Sequence, residues 1–268
     1  MPVKAVILAA GTGARLCPLT PFIPKEMLPV VGFPAIHHVL AEVLSAGIDE
    51  VMIVLSDGKK QLRDYLTKDV CPKGEQAMRF SRERDRVLSR LKIKFTLQEK
   101  PLGTAHAIYL AKRFAGEDPL LVVYPDDLLQ VKGRFQSESL TKIIALCKKT
   151  DASVLLTACV PGSAASQYGV LNVREEDDRC FVTAIREKPQ DYKESTAQVM
   201  IGRMILTPWA MDKIPLHGYS DAEGIVPTLA KVAEEGRLLA CLHRGVRYDL
   251  GSHQGYLSLL RDTAKQKE

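Results

Sequence analysis

The sequence predicts an α/β protein with a doubly wound, mostly parallel mixed sheet and a smaller β-rich part toward its C-terminal end. Three observations carry this. Strand-like and helix-like segments alternate over the first 160 or so residues. The early strands are short, unbroken apolar runs, the pattern of strands covered on both faces. After about Gln167 the pattern changes to shorter β pieces.

The elements follow in order. Val3–Ala9 (VKAVILA) is a buried strand ending in Ala-Gly-Thr-Gly, and 34–46 has helical spacing stopped by Gly47. Glu50–Leu55 is the next strand and Lys59–Leu66 a short helix. The charged stretch Thr67–Leu91 reads as a solvated helical lid or insertion. A strand at Lys92–Gln98, a helix at Gly103–Phe114 and a buried strand at Pro119–Tyr124 come next, then a helix at Leu140–Lys148 and a strand at Ala152–Val160. This order gives the Rossmann-like winding. GVLNV, FVTAIRE and VMIGRMILT are the later β pieces. A helix at Glu223–Glu235, a strand at Leu238–His243 and a closing helix from about Gln254 to Lys265 end the chain. No internal repeat or low-complexity linker appears, so 1–268 is expected to be one domain with halves 1–166 and 167–268, packed on one sheet.

Composition narrows the classes. The 268 residues are 46% hydrophobic and 26% charged, the balance of a globular domain with a substantial core. The net charge of +5 comes from interspersed Lys and Arg, without the basic stripe of a nucleic-acid binder, and suits small anionic substrates. Six scattered cysteines (Cys17, Cys71, Cys147, Cys159, Cys180, Cys241) form no Cys-x-x-Cys pair. This argues against a zinc site or disulfide scaffold and for small core residues in a reducing compartment. No signal-peptide core precedes Lys4 and no apolar run is long enough to span a membrane, so a cytoplasmic protein is expected.

The loop after the first strand, GTGARLCPLTPFIPKEMLP (11–29), sits where open α/β sheets bind ligands. It is neither a Rossmann fingerprint, since Leu16 holds the third glycine position, nor a Walker A loop, since Gly-Lys-Ser/Thr is absent. What remains is Gly-x-Gly-x-Arg with Lys25 ten residues beyond Arg15, in a proline-stiffened segment expected to be an extended strap. By itself it is open to two readings: a phosphate cradle, or a tight turn with a surface lysine. Tyr124-Pro-Asp126-Asp127 ends a buried strand and reads either as a turn or cap, or as a Mg²⁺ ligand with Asp249 of Tyr-Asp-Leu-Gly-Ser as a distant partner. Ile185-Arg-Glu187-Lys188-Pro189 is a surface pair before a turn, or a ligand contact if the strand twists or bulges so that both side chains face one way. Gln98 and Pro101-Leu-Gly103-Thr104 form a strand-to-helix turn suited to a base edge. His37, His38 and His106 fall on helices and read as packing or capping groups.

The order AVILAAGTGARLCPLTPFIPKEMLP, Gln98 with PLGTAHA, YPDD, YGV, REKP and YDLGSHQGY resembles the nucleoside-diphosphate-sugar pyrophosphorylases, over about Val3–Tyr256. Within them it looks most like the bacterial and archaeal UTP–glucose-1-phosphate uridylyltransferases; Glu26 after Lys25 favours this branch over the thymidylyl one, which usually has Gln there. The resemblance implies that the backbone of Ala9, Ala10, Gly11, Thr12 and Gly13 wraps the nucleotide, and that Arg15 and Lys25 neutralise its phosphates. It puts Glu26, Gln98, Gly103 and Thr104 at the base and ribose, and Mg²⁺ on Asp126 and Asp249. Gly169, Glu187 and Lys188 take the sugar 1-phosphate in a small β-rich, sugar-binding part. It further implies UTP and glucose 1-phosphate as substrates, with no nucleic acid or membrane partner, and a homo-oligomer, dimer or tetramer. Two positions depart from the family: Pro21, where relatives often carry Lys, and Glu-Gly-Ile-Val from Glu223, where they carry Glu-Ile-Gln-Leu. The rival readings are the same chemistry on dTTP and a catalytically silent regulatory subunit.

Overall fold

A computed structural model describes residues 1–69, 73–130, 135, 138–215, 217 and 224–265. Its strands are β1 Lys4–Leu8, β2 Pro29–Val30, β3 Phe33–Pro34, β4 Glu50–Leu55, β5 Lys92–Leu97, β6 Leu120–Val123 and β7 Asp127–Gln130. β8 Ser153–Pro161, β9 Gly169–Glu176, β10 Arg179–Glu187, β11 Thr196–Leu206, β12 Leu238–Leu242 and β13 Val246–Asp249 follow. The helices are α1 Ala35–Ser45, α2 Lys60–Thr67, α3 Glu75–Leu88, α4 Gly103–Leu110, α5 Lys112–Ala115, α6 Glu138–Thr150, α7 Pro208–Asp212, α8 Val226–Glu234 and α9 His253–Lys265.

Nine strands form one sheet in the order β5-β4-β1-β6-β11-β8-β12-β10-β9. β1 pairs in parallel with β4 and β6, and β4 with β5. β11 runs antiparallel to both β6 and β8, so the parallel run stops there and the sheet is mixed. β1 shows why the apolar runs are unbroken. Ala5 and Ile7 enter a core cluster with α1, α2, α6 and α9, whereas Val6 and Leu8 enter a second one with α4, α7 and α8. Alternate side chains of a strand point to opposite faces, and here both faces are covered.

The strands expected in 3–160 all form, with ends shifted by a residue or two. Some expectations need correction. The segment 14–27 is not an extended strap: Ala14–Leu16 and Lys25–Met27 are 3₁₀ turns joined by a chain of further turns. The prolines that exclude an α-helix do not exclude isolated turns, since Pro fixes φ near the helical value. The cysteines are not mainly core residues. Of those described, only Cys147 is buried, while Cys17 and Cys159 are exposed; Cys71 lies outside the described residues. The helical part of Thr67–Leu91 is the solvated helix expected, with most of its residues exposed, but it is docked through a few contacts. Arg84 of α3 is buried and donates to the carbonyls of Tyr65 and Lys68, and Phe80 meets Phe33 edge-on at 5.2 Å. The helix expected at Glu223–Glu235 begins at Val226, and Glu223 itself lies outside the described residues. The short strands β7 and β13, antiparallel to each other, were not foreseen. Among the described residues no helix is long and apolar enough to cross a membrane.

His37 on α1 bears out the packing reading. It stacks on Phe33 at 4.1 Å, its Nδ1 lies 3.0 Å from the Tyr65 hydroxyl, and burial pushes its pKa down to about 4. The unfolded chain therefore takes up a proton near pH 6.5 that the folded chain refuses until about pH 4. Stability is complete above about 6.5 and is lost across this window as the pH falls, by roughly 3 kcal/mol at most. Melting temperatures measured from pH 7.5 to 4.5 should fall, and His37→Gln should flatten the slope; an unchanged slope would show that His37 does not carry it.

Candidate active site

The carboxyl end of β6 opens onto a cavity of about 600 Å³. Of the residues singled out from sequence, Arg15, Thr104, Asp126, Gly169, Glu187, Lys188 and Asp249 line it. Asp126 reaches it because β6 ends at Val123 and the chain turns, with the Asp127 N–H bonded to the Tyr124 carbonyl at 3.2 Å. Asp249 reaches it from the far end of the sequence, because β13 pairs with β7 in a register that sets Asp249 opposite Asp127. The Leu250 N–H then donates to the Asp126 carbonyl at 2.7 Å and locks the two turns together.

Both aspartates carry a cation. Lys25 Nζ lies 2.5 Å from Asp126 Oδ2, and Arg15 Nη1 lies 3.1 Å from Asp249 Oδ2. Burial works against the charge of Asp126, yet Lys25 holds its pKa below the ordinary value. Burial likewise opposes the Lys25 cation, which Asp126 and Glu26 nevertheless raise. Both groups are charged at neutral pH. The point of convergence is over Gly251. A Cβ there would stand 2.5 Å from Arg15 Nη2, 2.9 Å from Asp249 Oδ1 and 3.0 Å from Asp126 Oδ2, so only glycine leaves this space open.

The opposite wall carries the second group. Glu187 ends β10 opposite Gly169 of β9, and Lys188 Nζ lies 3.0 Å from Glu187 Oε1. The condition set for these two side chains is met: β10 slips register between Val182 and Ala184, and Lys188 turns to φ +44°, so both side chains face the cavity. Tyr124 lies on the cavity wall too, and burial pushes its phenol up to about 12, which keeps its proton on at neutral pH.

The other candidates lie around this cavity rather than on its wall. Ala9 continues β1, bonding to the Val54 carbonyl at 2.9 Å, and Ala10 packs on the second core cluster. Gly11 and Thr12 are exposed just beyond, and Lys25 Nζ would stand 3.5 Å from a Cβ on Gly11. Gly13 has φ +74° and its carbonyl accepts from the Thr20 hydroxyl at 2.8 Å. Gln98 is buried, donating to the Gly103 carbonyl at 3.0 Å and facing His106 Nδ1 at 3.0 Å. Glu26 is fully buried, and its Oε2 takes Lys59 Nζ at 2.7 Å; burial raises its pKa more than Lys59 lowers it.

Sequence reasoning missed several wall residues. Asp127 was quoted without a role, yet its Oδ2 accepts from the Gly202 N–H at 2.6 Å and its Oδ1 lies 2.5 Å from Arg247 Nε. Gly202 has to be glycine, since a Cβ would stand 2.6 Å from the Asp127 Cβ. Arg247, Tyr168, Gly202 and Ser252 also line the cavity. The one available signal was Arg247 itself, a cation two residues before a proposed metal carboxylate.

The two aspartates fit a hard divalent cation, which takes one or two protein carboxylates and completes its shell with phosphate oxygens. Among the described residues no cluster of three or more His, Cys, Asp or Glu forms a self-sufficient metal cage. Arg15, Lys188 and Arg247 facing one cleft with Asp126, Asp127, Glu187 and Asp249 suit phosphorylated substrates.

Comparisons with known proteins identify the family. A family model described as nucleotidyl transferase matches residues 4–266. The UTP–glucose-1-phosphate uridylyltransferase of Pseudomonas aeruginosa is 33% identical over 264 residues, covering 95% of this chain and 93% of that protein. A UDP-glucose pyrophosphorylase crystallised with UDP-glucose superposes with a TM-score of 0.85 at 29% identity, covering 99% of this chain and all of that one. The UTP-bound UGPase of Acinetobacter baumannii gives 0.85 at 26% identity, covering 98% and 93%. The chain belongs to the nucleotidyl transferase family and is an enzyme of that class.

Proposed function

We propose that the protein transfers the uridylyl group of UTP to α-D-glucose 1-phosphate in a Mg²⁺-dependent reaction, giving UDP-glucose and pyrophosphate. The observation that carries the reading is the pairing, across one cavity, of an Arg15–Asp126–Asp249 cluster with Glu187 and Lys188. The names of the relatives and the UTP and UDP-glucose bound by solved neighbours support the choice of substrates.

In this reading Lys188 takes the phosphate of the sugar 1-phosphate and Glu187 its hydroxyls, with Gly169 leaving room beside them. The loop Ala9–Gly13 lies along the nucleotide, and Thr104 and Gly103 border it. Buried Glu26 and Gln98 act on the base or ribose through the turns that they hold. Asp126 and Asp249 hold Mg²⁺, which supplies charge neutralisation and orientation of the phosphate oxygens. The sugar phosphate oxygen, already anionic, forms its bond to the α-phosphorus as the bond to pyrophosphate breaks on the opposite side. No general base is needed. Catalysis consists of positioning and offsetting repulsion between phosphates, the work of Lys25, Arg15 and Lys188.

The two resting ion pairs acquire a purpose here. Each cation rests on a carboxylate; with substrate and metal bound, Lys25 and Arg15 would serve phosphate oxygens and Asp126 and Asp249 would be free to hold Mg²⁺. In the free protein the pairing of each carboxylate with a cation limits the cost of gathering these charges in one cleft.

A panel of UTP and dTTP against glucose 1-phosphate and its epimers, with Mg²⁺ and a pyrophosphate readout, tests the assignment. UTP with glucose 1-phosphate should be the preferred pair; preference for dTTP would move the protein to the thymidylyl reaction, and no release with any pair would favour a silent subunit. Lys25→Ala should lower turnover on the order of 10²-fold at saturating substrate; a rate near that of the unaltered enzyme would remove Lys25 from catalysis. Asp126→Asn and Asp249→Asn should raise the Mg²⁺ concentration needed for half-maximal rate, and an unchanged titration would take them out of the metal site. Gly251→Ala should lower turnover at least about tenfold with little change in melting temperature, because the methyl group fills the space where the cluster meets; full activity would mean that this space is not used.

A further inference from the structure

Arg247 has no part in the proposed chemistry, yet it is the most heavily engaged cation on the cavity wall. Its Nε lies 2.5 Å from Asp127 Oδ1, its Nη1 donates to the Tyr168 hydroxyl at 3.0 Å, and its guanidinium lies over the Tyr168 ring, 4.9 Å from the centroid. Burial works against its charge, but Asp127, Tyr168 and Asp249 together outweigh it and its pKa rises. Asp127 is itself fixed by the Gly202 N–H and stands next to Asp126. Tyr168 is fixed differently: its N–H donates to the Ala165 carbonyl at 3.1 Å, and its own carbonyl accepts the Lys188 N–H at 3.0 Å.

The consequence lies at Lys188. It sits at φ +44°, a left-handed conformation that a residue with a Cβ adopts at a cost of about 1 kcal/mol or more. Such a backbone persists only where its surroundings determine it. Here the bond to the Tyr168 carbonyl does so, and Tyr168 is held from the other side by Arg247.

We propose that Arg247 is a positioning residue. By gripping Asp127 and Tyr168 at once, it couples the β7–β13 pair that carries the carboxylates to the turn that presents Lys188, and so fixes where the sugar 1-phosphate sits relative to the nucleotide. The inference rests on the reading that Lys188 takes that phosphate. Arginine is required because a planar fork can serve a carboxylate, a hydroxyl and a ring face together, which a lysine ammonium cannot. A second possibility, that Arg247 binds a phosphate directly, is an outcome of the same test.

The test uses the unaltered enzyme, Arg247→Lys, Arg247→Gln, Tyr168→Phe and the Arg247→Gln/Tyr168→Phe double variant. The kinetic constants for glucose 1-phosphate, UTP binding by calorimetry and melting temperature are measured for each. Arg247→Gln should lower kcat/KM for glucose 1-phosphate by about 10- to 100-fold, the loss of a charge-assisted contact, and leave UTP affinity within about twofold. Arg247→Lys should recover only part of the loss. Tyr168→Phe should show a smaller version of the same defect, and the double variant should be no worse than Arg247→Gln, because both act through one contact. Tyr168→Phe at full activity, additive defects in the double variant, or an equal loss of UTP affinity would each overturn the proposal. If Arg247→Gln does not fold, Arg247→Lys and Tyr168→Phe still decide it. Failure of the unaltered protein to turn over UTP and glucose 1-phosphate would remove the proposed function and this inference with it; a working enzyme with indifferent variants removes the inference alone.

Discussion

Arg203 is fully buried in β11, and the site depends on how its charge is met. Glu42 of α1 takes its Nε at 3.2 Å and its Nη2 at 2.7 Å, while Nη1 donates to the carbonyls of Tyr124 and Gly202. One guanidinium thus ties a helix, the end of β6 and the strand that reverses the sheet. A buried pair of this kind contributes little net stability compared with apolar groups, but removing either partner strands a charge and costs about 3–5 kcal/mol. What it supplies is definition. The Tyr124 carbonyl is pinned two residues before Asp126, so the turn that carries both aspartates cannot slide along β6.

The bulge in β11 belongs to the same constraint. Pairing with β8 jumps from Met200 to Met204, and Gly202 and Arg203 lie within the interruption. Freed from the ladder toward β8, the Gly202 N–H turns to Asp127 while its carbonyl accepts from the Tyr124 N–H at 2.9 Å. A register irregularity beside a site re-aims groups that a regular ladder would consume. The charges then fall in sequence from the buried core outward: Glu42 and Arg203 under the site, Asp127 and Arg247 at its wall, Asp126, Lys25, Asp249 and the exposed Arg15 at its mouth. Each acid has a base, which keeps so many ionised groups tolerable in one region.

Much of the sheet was legible because buried parallel strands have a simple signature. VKAVILA, EVMIVL and PLLVVY are mostly apolar on both faces, the pattern of strands covered on both sides. The charged helix was legible as a helix but not as a docked one, since Arg84 looks like any surface arginine until carbonyls at the end of α2 receive it. β7 and β13 were illegible for the opposite reason: four residues each, mixed in character, paired across more than a hundred positions. Loop closure of that span leaves no local mark. Among site residues, Asp126, Asp249, Glu187 and Lys188 carried motif signals, whereas the parts played by Gly202, Gly251 and Arg247 show only through what stands next to them in space. The strap was misjudged because proline content speaks against an α-helix without choosing between an extended chain and a string of turns.

The Glu187–Lys188 pair shows how a fold meets a demand that its own secondary structure forbids. Neighbouring residues of a strand face opposite sides, so a strand cannot present a carboxylate and an ammonium to one ligand. Lengthening the strand would not help, because parity does not change with length. The chain must leave the β region at one of the two positions, and it does so at the second, where the strand is ending and Pro189 follows. Leaving at Glu187 would forfeit its pairing with Gly169, the residue whose missing side chain keeps the space beside Glu187 open: a Cβ there would stand 3.3 Å from Glu187 Oε2 and 2.8 Å from Met200 Sδ. Leaving at Lys188 costs only a left-handed φ, offset by one hydrogen bond to Tyr168. The strain therefore sits on Lys188, the residue proposed to take the sugar phosphate, and the proposed lever that maintains it lies outside the motif, on the arginine two positions before Asp249.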